Sequence, residues 1–141
     1  MVNHYANDVD YYSTIEEFIT ETDLIETDVY IAGWNKKFRI TALSFGKQED
    51  INKKATDKET NQLDHTEWVL WTLVHGVVRP KINYAQAKQL MDKNGQFINS
   101  LADEIWNIGR VSKKAFDEYI QKLSELHKLE EEAAAARDKR K

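Results

Sequence analysis

The stretch "VHGVVRPKINYAQAKQLMDKNGQFINSLADEIWNIG", residues 74–109, holds the chain's only proline and three of its five glycines. An apolar helical run ends there at Gly76 and Pro80, because proline cannot continue a helix and biases the residue before it toward extended backbone. Asn83 is placed to cap a second helix over 84–93, with Ala87, Leu90 and Met91 turned inward. Asn94–Gly95 turns the chain. A third helix, 96–108, puts Phe97, Ile98, Leu101, Ile105 and Trp106 at helical spacing, and Gly109 stops it. The unit is helical, and it shows no histidine cluster, cysteine or phosphate-cradling loop.

Upstream, residues 63–78 are rich in large apolar side chains, among them Trp68, Val69, Leu70, Trp71, Leu73 and Val74. A helix apolar nearly all round is buried, so this run is expected to be the central core helix. Before it, 56–62 is polar and reads as a mobile loop, and Ser44 caps a helix to about Ala55 with Ile51 inward. The period changes again nearer the N-terminus. Val29 and Ile31 alternate with polar neighbours, as do Phe38, Ile40 and Ala42 with Lys37, Arg39 and Thr41. Two period-2 runs around "AGWNKK" predict a β-hairpin at about 28–43, which must lie on apolar helices because a lone hairpin is marginal in water. Ser13 and Glu16 have capping-box spacing for a short helix over 14–20, with Ile15, Phe18 and Ile19 on one side.

Downstream, a helix opening at Ser112 carries a stripe of Ala115, Phe116, Tyr119, Ile120, Leu123, Leu126 and Leu129. The stripe fails after Leu129. The remaining "EEEAAAARDKRK" keeps helix propensity without an apolar face and is expected to fray or project. The predicted fold is mainly α within the α+β class: five to six helices, one N-terminal β-hairpin and an extended C-terminal helix. A flexible arm is assigned to 1–12, a single globular domain to 13–129, and a charged tail to 130–141.

Composition narrows function. Net charge is −4, and phosphate neutralisation needs a clustered basic surface, so nucleic acid is disfavoured. The chain has no cysteine, which excludes disulfides and thiolate metal sites. No apolar run reaches membrane-span length, and residues 1–12 lack a signal-peptide core. The expected setting is therefore a cytosol.

Catalytic constellations are not legible. His4, His65, His75 and His127 are scattered, and ten residues between His65 and His75 put them off a shared helix stripe. His75 reads as a structural group at a helix end. The adjacent carboxylates Glu16–Glu17 and Asp103–Glu104 diverge on a helix and form no shared-proton dyad. No serine has nucleophile-elbow context. The expectation is a non-enzymatic protein with no catalytic residues, metal or cofactor.

Two surface features remain. Trp34, at the hairpin tip, is either an exposed contact point or folds back against the hairpin. The last helix either completes the domain core or offers its outer stripe, Tyr119, Leu123 and Leu126, to a partner helix.

The order of motifs resembles that of the tail assembly chaperones of long-tailed bacteriophages. Ile40 and Leu43 match a strand ending "I-x-x-L". Gly76, Val77, Val78, Pro80 and Ile82 match a "G-V-V-x-P-x-[IL]" turn, and Ile98, Leu101 and Ile105 match a closing "I-x-x-L-x-x-x-I" helix. The likeness spans about 29–112. It departs at "NIGRVS", where related sequences often carry "S-G". The resemblance implies binding to the tape-measure protein, which is kept soluble while tail tube subunits are recruited. It also implies residence in the host cytoplasm and absence from the mature virion. Self-association is an open option, and nucleic acid and membrane are not expected partners. The alternatives are a structural tail-completion or connector protein, and a small helix–turn–helix regulator. The latter is disfavoured by acidity and by the lack of a basic recognition helix.

Overall fold

A computed structural model describes residues 9–110 and 113–139. The chain falls into two compact units, Met1–Arg110 and Val111–Lys141, where the sequence reading drew one domain over 13–129. The arm assigned to 1–12 lies mostly outside the described residues, as does Ser112, the expected start of the last helix.

The first unit is built on a three-stranded antiparallel sheet in the order β1-β2-β3. β1 (Glu26–Ile31) and β2 (Lys36–Thr41) form the expected hairpin. Its four-residue turn is closed by Trp34 N–H on the Ile31 carbonyl and Asn35 N–H on the Ala32 carbonyl, both 3.1 Å. Asn35 sits at φ 53°, the left-handed region that asparagine tolerates better than most residues. Alternation sets two faces. Val29, Phe38 and Ile40 face the core, while Arg39 on the other face reaches Glu26 at 2.6 Å and Asp28 at 3.2 Å.

β3 (Val77–Arg79) was not expected. The sequence reading carried the core helix to Val78, but that helix, α3 (His65–Gly76), stops two residues earlier and the chain turns directly into the sheet. Ile40 pairs with Val77 and Arg39 with Arg79 across an irregular register. The β-branched pair Val77–Val78 favours extended backbone, and Pro80 then ends the strand.

The helices are α1 (Ile15–Thr20), α2 (Phe45–Ala55), α3 (His65–Gly76), α4 (Tyr84–Gln89), α5 (Gly95–Ile108) and α6 (Lys113–Lys139), with a 3₁₀ turn at Leu90–Asp92. The mainly helical α+β class is thus the observed one. Ser44 caps α2 as expected, accepting from Lys47 N–H. Asn83 and Gln86 form a capping box on α4. Asn94, expected only as a turn, caps α5 by accepting from Gln96 and Phe97 N–H. At α1 the expected Ser13–Glu16 box does not form: Thr14 is the cap and accepts from Glu17 N–H, and Ser13 N–H donates to the Glu17 carboxylate.

Around α3 the core closes on Ile40, Ile51, Leu73, Leu101 and Ile105, each at most 1% exposed. α2, α4 and α5 all pack on α3. Thr72, the one buried polar residue among the described core, donates to the Trp68 carbonyl and accepts from the Trp106 indole N–H at 2.9 Å. Its two bonds remove the cost of burying a hydroxyl. Trp68 and Trp106 stack at 5.0 Å beside it.

One apolar face stays open, one inward assignment fails, and one loop is held by hydrogen bonds. Ile15, Phe18 and Ile19 of α1 are 52–69% exposed; helical period defines an apolar face without supplying anything to cover it. Met91 is exposed because the tighter 3₁₀ turn rotates it out of the α4 stripe. The loop 56–62, read as mobile, is tied by a Thr56–Leu63 bridge, an Asp57 N–H bond to the Gln62 carbonyl, and an Asp64 N–H bond to the Ala55 carbonyl.

Candidate functional site

α6 forms the body of the second unit and runs as helix to Lys139, through most of the segment expected to fray. Tyr119, Ile120, Leu123, Leu126 and Leu129 are 39–62% exposed. Spacings of three and four put these five on one side of the helix. Within its own unit the stripe is exposed apolar surface. No helix among the described residues is long and apolar enough to cross a membrane.

Trp34 takes the folded-back option. It is half-buried, with its ring edge-on to Phe97 at 5.3 Å and tilted against Phe38 at 6.0 Å. Gly33 makes this possible: a Cβ there would lie 2.0 Å from the Phe97 ring. Trp34 is thus not a projecting contact point. It forms one wall of an apolar groove of about 520 Å³, together with Phe38, Pro80, Ile82, Leu90, Ile98 and Leu101. Lys36, Lys81 and Lys93 rim the groove. Sequence reasoning missed it because its walls come from the hairpin, the turn after β3 and the α4–α5 corner. Only the strand pairing of β2 with β3 brings those segments together.

The titratable side chains form one further cluster. His75 Nε2 lies 2.7 Å from Asp50 Oδ2, and Lys54 Nζ lies 3.0 Å from the same oxygen. The Lys54 ammonium also sits 4.1 Å over the Trp71 ring, which stacks on Tyr84 at 4.5 Å. The Tyr84 hydroxyl donates to the Glu67 carboxylate, which pushes the phenol pKa up. His75 bridges α3 to α2, a contact that its reading as a helix-end group did not include. Among the described residues no three histidine, aspartate or glutamate side chains are grouped to hold a metal ion.

Hydrogen bonding and charge from Lys54, then from His75, hold the Asp50 carboxyl below its ordinary range. Its folded pKa therefore lies below the unfolded value of about 3.9. The stabilisation is fully present above that unfolded pKa and is lost as pH falls through the folded value. Asp50→Asn is expected to lower the Tm at neutral pH and to converge with wild type in strong acid. Thermal melts against pH check this, and an offset independent of pH would contradict it.

Comparison with protein families, curated proteins and solved structures finds no match to the chain.

Proposed function

We propose that the chain is a tail assembly chaperone of a long-tailed bacteriophage, binding the tape-measure protein and recruiting tail tube subunits during tail assembly. The exposed apolar stripe of α6 carries the reading. Tyr119, Leu123 and Leu126 lie on a 27-residue helix, a form suited to pairing with the apolar face of another helix. The motif order over 29–112 adds the link to tail assembly. An exposed apolar surface costs solubility unless a partner covers it in use. Each contact can be weak, because many copies along one long client raise the total avidity. In this reading the role needs neither a catalytic group nor a cofactor, and the protein works in the host cytoplasm and leaves before the particle is complete.

Co-expression tests it. A tape-measure fragment that aggregates alone is expected to become largely soluble beside this chain and to stay insoluble beside a small acidic control protein. Mass spectrometry of purified particles is expected to find the chain absent. Its presence in fixed stoichiometry would favour the connector alternative.

A further inference from the structure

The groove walled by Trp34, Phe38, Ile82 and Leu90 has a charge opposite to that of the protein. Three lysines, Lys36, Lys81 and Lys93, line it, and no carboxylate does. None of the three has an ion-pair partner among the described residues. Yet the chain carries a net charge of −4. A cationic rim around an apolar floor is complementary to an apolar helix flanked by acids.

The chain itself contains such a helix. Residues 9–25 carry Asp10, Glu16, Glu17, Glu21 and Asp23 and have no lysine, arginine or histidine. Within them α1 presents Ile15, Phe18 and Ile19, spaced i, i+3, i+4 and 64%, 52% and 69% exposed. That spacing makes one continuous apolar face. α1 buries no residue, and none of its side chains lines the groove.

We propose that α1 of a second copy docks in this groove. Ile15, Phe18 and Ile19 lie against Trp34, Phe38 and Leu90, and Glu16, Glu21 and Asp23 stand over Lys36, Lys81 and Lys93. Donor helix and acceptor groove are different patches, so the contact is either exchanged reciprocally in a two-fold dimer or repeated from copy to copy in a ring or chain. The groove's size suits a few apolar side chains in a recognition site. Neither surface involves a residue of α6.

The full chain is tested by sedimentation equilibrium without any client. Wild type is expected to gain mass with concentration and to lose it with added salt, which screens the exposed pairs. Reversing the groove (K36E/K81E/K93E) or the helix (E16K/E21K/D23K) is expected to weaken association at least about tenfold. An equimolar mixture of the two variants is expected to associate again, because each groove then meets a helix of opposite sign. That recovery also shows that both variants are folded. Wild type that stays monomeric at every concentration, reversals that change nothing, or a mixture that stays monomeric would each overturn the proposal.

Discussion

Leu123→Asp and Leu126→Asp introduced together are expected to abolish the solubilising effect on a tape-measure fragment while leaving the Tm of the chain within a few degrees of wild type. Both leucines are exposed, at 39% and 55%, so a carboxylate in either place remains hydrated and costs the fold little. On binding, the same carboxylates would have to enter an apolar helix–helix contact. Burying an unpaired charge is far more costly than losing a leucine contact. Truncating one interface anchor typically costs about 2 kcal/mol or more, and two charges in adjacent turns exceed what a weak contact can absorb. The soluble fraction of the client, measured with circular dichroism of the variant, separates the effects. A variant that loses its helix content as well would place the stripe in the fold and remove it from binding.

The second large effect concerns a close contact between α3 and α5. A Cβ on Gly76 would lie 2.4 Å from Ile105 Cγ2 and 2.7 Å from Cδ1. Ile105 is fully buried and cannot swing into solvent. Gly76→Ala is therefore expected to destabilise by about 1–3 kcal/mol through overpacking, despite alanine's better helix propensity. Ile105→Ala alone is expected to cost about 2–5 kcal/mol, from lost burial and the cavity left behind. The double variant is expected to cost clearly less than the sum, because the alanine methyl at 76 enters space vacated at 105. Urea unfolding of the four proteins gives the cycle. Strict additivity would mean that the two helices do not meet at this point.

The same contact shows what the sequence could and could not disclose. Gly76 and Pro80 were legible as the signals that end the helix, but not which of the two stops it. The second use of Gly76, letting Ile105 approach, was not legible, because that depends on a residue 29 positions away. Local chemistry carried the caps: Ser44 and Asn83 were placed correctly because a cap is decided within four residues. β3 was missed because three residues become a strand only when β2 lies beside them. Phe18 and Leu126 both stand at helical spacing, and period alone cannot say which apolar faces remain open to solvent. Trp34 stood out for its place at the hairpin tip, yet its partner Phe97 and the lysine-rimmed groove emerge only from tertiary structure.

The account depends most on the outer face of α6 touching a client chain. A photo-crosslinking amino acid at position 123, in the full chain co-expressed with the tape-measure protein, tests that contact directly, with the exposed position 137 on the same helix as a control. The expected result is a covalent adduct to the tape-measure protein from position 123 and little or none from 137. Equal labelling from both positions, or no adduct from 123 in a folded and co-purifying chain, would contradict the account.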